Sequence, residues 1–248
     1  MNMDPIHWQT TQSAPPLEPD EVHVWRVFLD WPQAMLHQAL SILSPEEKKR
    51  AERFVLDLHR SQFIVSHAAL RHILSRYINQ PAAVINFTQG THGKPYLLQP
   101  DVQFNMSDSK QLALYAITKN REVGIDIEWM RPDIDRMGIA KRFFALQEQQ
   151  QLRALPQAQQ LTGFYQCWAR KEAYIKVIGQ GLSFPLANFS VSLQPDGFNN
   201  LLSVNDDTEE VKRWSLGSIA VAEGYAAALA VEGEISKIHY FDWMARAF

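Results

Sequence analysis

The chain has 248 residues, of which 46% are hydrophobic and 21% are charged. This composition supports a buried core and excludes an intrinsically disordered chain or a long coiled coil. The 24 Lys and Arg residues against 27 Asp and Glu give a net charge of −3, so no overall basic excess is present to hold a nucleic acid. The single cysteine, Cys167, excludes an internal disulfide and a cysteine-based zinc cluster, and it indicates a reducing compartment.

The first 21 residues are polar and rich in proline, without a basic start followed by an apolar run. They predict a loose leader, residues 1–21, rather than a signal peptide. The most apolar late stretch, Tyr225–Val231, is much shorter than the ~20 residues that a membrane-spanning helix needs. We therefore expect a soluble, cytoplasmic protein that does not enter a membrane.

The first half of the chain predicts one strand, two helices and then short strands. The first strand is 21–29, where apolar and polar residues alternate. A helix begins at Ser44-Pro45-Glu46-Glu47, because Ser at the N-cap, Pro after it and Glu three residues later form a strong start signal. A second helix covers 60–79. Glycines and prolines then separate three short strands, which are 84–88, 96–98 and 102–106.

The second half begins with two strands, 112–118 and 123–128, which the polar turn 119–122 joins at hairpin length. Helices follow at about 135–154 and 161–178. The remaining predicted strands are 189–193, 200–204, 214–220, 225–231 and 237–241.

Helices followed by antiparallel strands therefore occur twice, which predicts an α+β fold. We expect two similar halves, 22–118 and 119–248, each with helices packed on a small antiparallel sheet and related by a pseudo-two-fold. No residue-level repeat is visible in the sequence, so the duplication rests on element order alone. A cleft between two halves is a common ligand location, and we expect the active site there.

Two carboxylates alternate with core residues in the segment Val123–Glu128. Alternate side chains of a strand share a face, so Asp126 and Glu128 project together, roughly 7 Å apart, while the valine and the isoleucines face the core. Gly124 lies on the carboxylate side and leaves room beside the pair. The alternative is that the pair occupies the solvated face of an ordinary antiparallel strand.

A third carboxylate, Glu172, falls within the apolar stripe of the predicted helix 161–178. A buried carboxylate needs a compensating partner, because its desolvation costs several kcal/mol. Lys176 follows one turn later, and the alternative is an exposed Glu–Lys pair at i,i+4 spacing. That alternative explains the spacing but not the placement of Glu172 among Trp and Phe residues.

Together, Asp126, Glu128 and Glu172 offer hard oxygen ligands, which Mg²⁺, Mn²⁺ and Ca²⁺ prefer and Zn²⁺ does not. Magnesium usually keeps waters and bridges to substrate phosphates, so this set with Lys176 nearby indicates phosphoryl-type chemistry. Zinc is not expected at His67 and His72, because a spacing of five on a helix does not place both on one ion.

Two segments, Gly124–Glu128 and Trp168–Lys176, resemble the paired signature of the 4'-phosphopantetheinyl transferases, and the two-half, Sfp-type group is the better match. Further landmarks of the family occur in the family's order over roughly residues 44–195. They are Ser44-Pro45-Glu46, Arg53-Phe54, His59-Arg60, Gly93-Lys94-Pro95, Phe104-Asn105-Met106-Ser107, Arg142-Phe143-Phe144 and Gly181-Leu182-Ser183.

The resemblance implies an enzyme that moves the phosphopantetheine arm of coenzyme A onto a serine of an apo acyl or peptidyl carrier protein. It also implies a requirement for Mg²⁺ and the release of adenosine 3',5'-bisphosphate. By matching positions, Asp126, Glu128 and Glu172 bind the metal. Glu172 is also the implied base for the serine proton, and Lys176 stabilises charge on the pyrophosphate as the bridging oxygen leaves.

The same resemblance places coenzyme A binding mainly in the N-terminal half. Arg50 and Arg60 match positions that hold the 3'-phosphate, and Lys94 matches a turn that contacts the adenine. Asp108 departs from the family, much of which has a histidine there, since a carboxylate facing a phosphate is repulsive unless it is protonated or turned away. Glu47 is a second mismatch, which its capping role explains. The expected coenzyme A-binding residues are Arg50, Arg53, Arg60, Lys94, Ser107 and Asp108.

The segment 129–144 is the expected docking surface for the carrier protein, whose serine-bearing helix is acidic and apolar in this family. Four basic residues against two acidic ones leave a charge of +2 there, and Met130 and Met137 are expected to be exposed. The alternative is a mixed, solvated linker and helix. The charged residues are Arg131, Arg136, Lys141 and Arg142 against Asp133 and Asp135.

Two other classes of function stay open at this point. A two-carboxylate hydrolase would use Asp126 or Glu128 with Glu172, but it has no role for Lys176 and would survive chelation. A non-catalytic coenzyme A- or carrier-binding module would bind its ligand and turn nothing over. We expect the transferase to be a monomer.

Overall fold

The computed structural model describes residues 6–11, 15–90, 93–99, 101–181, 184–194, 197–205 and 207–243. The strands are β1 (Gln9–Thr10), β2 (Glu21–Phe28), β3 (Phe87–Gln89), β4 (Pro95–Leu97), β5 (Val102–Ser109), β6 (Leu112–Lys119), β7 (Val123–Trp129), β8 (Phe189–Val191), β9 (Leu201–Val204), β10 (Trp214–Ser218), β11 (Tyr225–Glu232) and β12 (Lys237–Asp242). The helices are α1 (Gln33–Ile42), α2 (Pro45–Glu52), α3 (Asp57–Ile78), α4 (Arg136–Phe143), α5 (Leu146–Ala154), α6 (Gln157–Ile178) and α7 (Thr208–Lys212).

The two halves repeat one topology, which confirms the predicted α+β fold of two similar halves. Each half runs through a strand, three helices, a small two-stranded sheet and two further strands, and the second half adds the short helix α7 before the last two. The neighbouring antiparallel strands are ordered β5-β6-β2 in the first half and β10-β11-β7 in the second, which is the same order of connections. The long helices α3 and α6 both have 22 residues. This shared order is what a pseudo-two-fold relation between the halves predicts.

A buried ion pair recurs at equivalent positions of the two long helices. In α3, Arg71 Nε lies 2.8 Å from Glu47 at the start of α2, and in α6, Lys171 Nζ lies 2.8 Å from Glu148 at the start of α5. Each cation also donates to two backbone carbonyls beyond the end of its own helix. These carbonyls are Ala82 and Ile85 for Arg71, and Leu186 and Phe189 for Lys171. The duplication therefore extends to side chains. It is not visible as a sequence repeat, because the cation is Arg in one half and Lys in the other.

The predicted hairpin between residues 112–118 and 123–128 is wrong. Strand β6 pairs with β2 on one side and β5 on the other, so neither of its edges is free for β7. The turn instead carries the chain into a second sheet, where β7 pairs with β11. The two sheets meet side by side at β5 and β7. Polar side chains of β5 bridge this junction, because Asn105 Oδ1 accepts from Ile125 N and Ser109 Oγ accepts from Trp129 N, both at 2.9 Å.

The ends of the chain also depart from expectation. Strand β12, expected in the second half, pairs in parallel with β2 of the first half, and β1 within the expected leader pairs with β12. The expected boundary at residues 118 and 119 therefore does not separate the two sheets, and the leader is not loose at Gln9–Thr10.

The predicted helix 135–154 is two helices in the structure, since Phe144 and Ala145 are extended between α4 and α5. Among the described residues, no helix combines the length and apolarity that crossing a membrane requires.

Candidate active site

The carboxylates of β7 lie under helix α6 and not on a solvated face. The strand buries Val123, Ile125 and Ile127 on one side, as predicted, but Asp126 on the other side is also only 4% exposed. Gly124 permits this cover, because a Cβ at that position would lie 2.1 Å from the Ala173 carbonyl oxygen of α6. The backbone of α6 therefore fills the room that the sequence indicated beside the carboxylates. This excludes the alternative that the pair occupies the solvated face of an ordinary antiparallel strand.

Gly124→Ala should lower the free energy of unfolding by several kcal/mol and abolish most activity. Helix backbone cannot yield to the added methyl group, so β7 and α6 must separate, and overpacking in a tight core typically costs ~1–3 kcal/mol or more. Urea denaturation measures the stability loss. Gly90→Ala is the matched control, because its added Cβ would meet only the ring of Tyr96, at 2.8 Å. Equal stability losses in the two variants would contradict the proposed close approach.

Lys176 projects from α6 onto Asp126 and the junction between the sheets. Its Nζ lies 2.7 Å from Asp126 Oδ1 and 2.7 Å from Ser107 Oγ, and it donates to the Ile125 carbonyl at 3.1 Å. Ser107 Oγ also donates to Asp126 Oδ1, at 3.0 Å. The other oxygen, Asp126 Oδ2, is buried and has no hydrogen-bond partner among the described residues. A buried carboxylate oxygen without a partner is costly, so this atom indicates a place for a cation.

The other two carboxylates belong to the same electrostatic cluster. Burial, and next the charge of Asp126, raises the pKa of Glu128 to about 7; Glu172 adds to this rise, while Lys176 and a hydrogen bond from the Trp168 side chain oppose it. Burial and then Asp126 also raise the pKa of Glu172, against Lys176. The structure thus brings together the strand pair and the helix carboxylate that were predicted to share a site.

The three carboxylates fit a hard cation by charge and ligand type. Mutual repulsion of like charges and an unpaired buried oxygen are relieved when a divalent ion binds between them. The nearest oxygens of Asp126, Glu128 and Glu172 are not all within 4.8 Å of one another in this structure. Coordination by all three therefore requires side-chain rotation.

A cavity of about 450 Å³ opens between helices α2 and α3 and the turn joining β3 and β4. Arg50, Gly93, Pro95 and Met106 are among its lining residues, so the turn and one of the arginines that the sequence singled out face a common pocket. Arg50 is exposed and lies over the ring of Phe63, 5.1 Å from its centre. A cavity of this size and polarity is suited to a small polar ligand.

Three other residues expected to bind the same ligand do not line this pocket. Lys94 Nζ lies 2.8 Å from the Glu122 carboxylate and 3.3 Å from the Val123 carbonyl, so its ammonium stabilises the start of β7. Arg60 donates to Asp57 and to the Phe54 carbonyl, both at 2.9 Å. Arg53 is exposed at the C-terminal end of α2. Neither arginine nor Lys94 is among the residues that line the cavity.

Asp108 lies between the cavity and the carboxylate cluster. Its side chain is exposed, yet the surrounding protein raises its pKa by desolvation, while Lys176 and Arg50 lower it. On β5, Asp108 shares a face with Met106, which lines the cavity, and it follows Ser107, which contacts Asp126 and Lys176. A polyanion reaching from the cavity to the cluster would pass this carboxylate.

The basic residues inside the helix signature are structural, which sequence reasoning missed. Arg170 and Lys171 are fully buried. Arg170 donates to Ser218 and to the Ser192 carbonyl, and Lys171 holds Glu148. The signal was present in the sequence, because Cys167, Tyr174 and Val177 make the opposite side of this helix apolar as well.

A second cavity, of about 630 Å³, adjoins the carboxylate cluster at Glu128. Arg131 and the aromatic residues Trp129, Tyr165 and Trp168 also line it. The segment 129–144 thus borders the site. Met130 and Met137, however, pack partly buried against the core, so the expectation that both are exposed is wrong. The landmark residues Leu182 and Ser183 lie outside the described residues.

Comparisons with known proteins identify the family of this chain. The profile of the 4'-phosphopantetheinyl transferase superfamily matches residues 122–230, and that of the 4'-phosphopantetheinyl transferase N-terminal region matches residues 30–120. The 4'-phosphopantetheinyl transferase HetI of Nostoc sp. is 36% identical over 218 residues, which are 86% of this chain and 89% of that protein. The 4'-phosphopantetheinyl transferase Sfp of Bacillus subtilis is 35% identical over 179 residues, or 70% of this chain and 78% of that protein. The chain therefore belongs to the 4'-phosphopantetheinyl transferase superfamily, as an enzyme of the Sfp type.

Proposed function

We propose that this enzyme transfers the 4'-phosphopantetheine group of coenzyme A to a serine of an apo acyl or peptidyl carrier protein, with Mg²⁺, and releases adenosine 3',5'-bisphosphate. The observation that carries the proposal is the unpaired buried oxygen of Asp126, set beside Lys176 and two carboxylates of raised pKa. Phosphoryl transfer needs positioning and charge neutralisation, which such a cluster supplies once a divalent ion is present.

Asp126, Glu128 and Glu172 would hold the Mg²⁺. When bound, the ion supplies neutralisation of the pyrophosphate, which the carboxylates alone would repel. Asp126 is the most rigid of the three, because Ser107 and Lys176 both hold its Oδ1 and leave Oδ2 open. Glu128 must be ionised to bind a metal, so binding releases a proton at neutral pH, where its pKa of about 7 leaves it partly protonated.

Glu172 is the proposed acceptor of the serine proton. Its raised pKa makes the carboxylate a stronger base than an exposed glutamate, and it borders the same cluster as Asp126. Lys176 Nζ lies at the mouth of the cluster, with about a quarter of its side chain exposed (27%). It can therefore turn a proton donor toward the leaving phosphate oxygen while it stays close to Asp126.

Coenzyme A would place its nucleotide in the cavity of about 450 Å³. We propose that Arg50 contacts the 3'-phosphate there, with Arg60 and Arg53 adding positive charge from nearby on α3 and α2. The turn containing Lys94 would contact the adenine through its backbone, because the ammonium is already paired with Glu122. Ser107 and Asp108 border the path of the pyrophosphate toward Lys176.

Asp108→Asn should lower the KM for coenzyme A about threefold to tenfold, because it removes a negative charge beside the path of the phosphates, an effect of ~1 kcal/mol. Arg50→Ala should shift the same KM in the opposite direction. Steady-state kinetics at fixed carrier concentration measure both. Asp101→Asn, an exposed aspartate just before β5, is the matched control. An unchanged or higher KM in Asp108→Asn would show that Asp108 turns away from the bound phosphates.

The carrier protein would dock on segment 129–144, beside the cavity that ends at Glu128. Arg131, Lys141 and Arg142 are exposed there and can attract an acidic helix. Asp133 and Asp135 are also exposed, and Asp135 caps α4 by accepting from Gly138 N at 3.0 Å.

We propose that the enzyme works as a cytoplasmic monomer. Its single cysteine, Cys167, is buried and forms no disulfide, as is usual in a reducing compartment.

Incubation with coenzyme A, Mg²⁺ and an apo carrier protein, followed by intact-mass spectrometry, tests the proposed function. We expect the carrier to gain one phosphopantetheinyl group and EDTA to abolish the gain, with restoration by added Mg²⁺. A carrier whose serine is replaced by alanine is the control. No mass change together with hydrolysis that survives chelation would favour the two-carboxylate hydrolase. Ligand binding with neither a mass change nor hydrolysis would favour a non-catalytic module.

A further inference from the structure

A second cluster of metal-type ligands lies on strands β2 and β12, apart from the carboxylate cluster. Glu21 and His23 are two residues apart on β2 and share a face, and His239 of β12 is the register partner of His23. The nearest ligand atoms of Glu21, His23 and His239 are all within 4.8 Å of one another. Within the described part of the chain, this is the one set of three His, Cys, Asp or Glu side chains that meets this distance.

His23 has an unsatisfied nitrogen at the centre of this cluster. The residue is fully buried, its Nδ1 lies 2.8 Å from Tyr77 Oη, and its Nε2 has no hydrogen-bond partner among the described residues. In one tautomer Nε2 is a buried N–H without an acceptor, and in the other it is a buried lone pair without a donor. Both cost folding free energy. Tyr77 also accepts from Trp25 Nε1 at 2.7 Å, which holds its hydroxyl in place. A histidine oriented through one nitrogen, with the other free, is typical of a metal ligand.

The donor set selects the class of metal. Two imidazoles and one carboxylate suit Zn²⁺ and similar transition-metal ions, whereas Mg²⁺ and Ca²⁺ prefer oxygen ligands alone. Glu21 already lies 3.3 Å from His239 Nε2, so the carboxylate and one imidazole are in contact. The Glu21 and His239 side chains are 18% and 17% exposed, which leaves an entry from solvent on their side of His23.

We propose that Glu21, His23 and His239 bind one Zn²⁺-class ion, with His23 as a ligand through Nε2. The ion links β12, which follows the second half of the chain, to β2 of the first half. It thereby ties the last strand of the chain to the five-stranded sheet, independently of the proposed transfer reaction.

Calorimetric titration of the metal-free, full-length protein with ZnCl₂ in excess Mg²⁺ tests this site. We expect one Zn²⁺ per chain and a higher midpoint of thermal unfolding, because the ion binds the folded state only. His239→Ala and Glu21→Gln should each weaken Zn²⁺ binding by at least about tenfold and reduce the thermal shift. His37→Ala, at an exposed histidine of α1, should bind Zn²⁺ as the wild type does.

Three results would overturn the proposal: no Zn²⁺ binding by the wild type, unchanged binding in both cluster variants, or loss of binding only in Glu128→Gln. The last result would assign the ion to the carboxylate cluster. Circular dichroism checks that each variant is folded, and Glu21→Gln carries the test if His239→Ala is not, because the Glu21 side chain is only partly buried. Transfer activity is not the readout, so failure of this site and failure of the proposed function are distinguishable.

Discussion

Replacing Glu172 with Gln should lower kcat for phosphopantetheine transfer by at least about 100-fold and leave the KM for coenzyme A within a few fold. The amide cannot accept the proton of the carrier serine, and general-base contributions of this kind are typically ~10²–10⁴-fold. The nucleotide cavity contains no part of Glu172, and Asp126 and Glu128 stay in place to hold the metal at saturating Mg²⁺, so coenzyme A binding should largely persist. Steady-state kinetics with both substrates measure the effect.

Glu209→Gln is the matched control for this variant, because Glu209 is an exposed glutamate on α7 paired only with Lys212 in the described contacts. Calorimetric titration with Mg²⁺ then separates the two roles of Glu172. Weaker Mg²⁺ binding in Glu172→Gln makes Glu172 a ligand, whereas unchanged Mg²⁺ binding with a lost kcat makes it a base alone. More than a third of wild-type kcat in Glu172→Gln would contradict both roles.

Lys171→Met should destabilise the protein by about 3–5 kcal/mol, the range typical of removing one partner of a buried ion pair. Both side chains of the Lys171–Glu148 pair are fully buried, and the lysine also holds the carbonyls of Leu186 and Phe189. Burial raises the pKa of Glu148, and the ammonium of Lys171 opposes this rise. Without Lys171, the buried carboxylate loses that compensation. Urea denaturation monitored by circular dichroism measures the loss.

Lys212→Met is the matched control, because the Lys212–Glu209 pair has the same 2.8 Å separation but its side chains are 71% and 80% exposed. Its replacement should leave the free energy of unfolding unchanged, since exposed pairs of this kind contribute little. A double variant, Lys171→Met with Glu148→Leu, should regain part of the stability, because no charge is then buried alone. Equal stability of the Lys171 and Lys212 single variants would contradict the assignment of a structural role to Lys171.

The candidate site could be predicted from local sequence because its carboxylates occupy positions of a strand and a helix where apolar residues are usual. Asp126 and Glu128 alternate with buried aliphatic residues, and Glu172 interrupts an apolar stripe, so both signals depend only on the periods of a strand and a helix. The start of α2 was equally local, since Ser44 and Glu47 form the predicted capping box, at 3.2 and 2.8 Å.

Predictions failed where a distant segment decides the outcome. The turn at 119–122 has hairpin length, but β6 was already paired on both edges, which only the positions of β2 and β5 reveal. The partner of the Lys94 ammonium was not predictable from nearby residues either, because Glu122 comes from the other half of the chain. Met130 and Met137 looked exposed beside charged residues, but packing from α6 and its neighbours partly buries them.

The amino-acid order by itself determined the two-half organisation and the helix and strand periods. It also determined which carboxylates lie among positions that are usually apolar. Those features follow from 3.6- and 2-residue periodicity and from capping chemistry, which act over a few residues. Tertiary structure alone decided that α6 covers Gly124, that β12 crosses into the first sheet, and that Glu21, His23 and His239 meet. These outcomes depend on which strand edges are free and how closely two backbones approach, and such long-range contacts are not encoded in any short stretch of the chain.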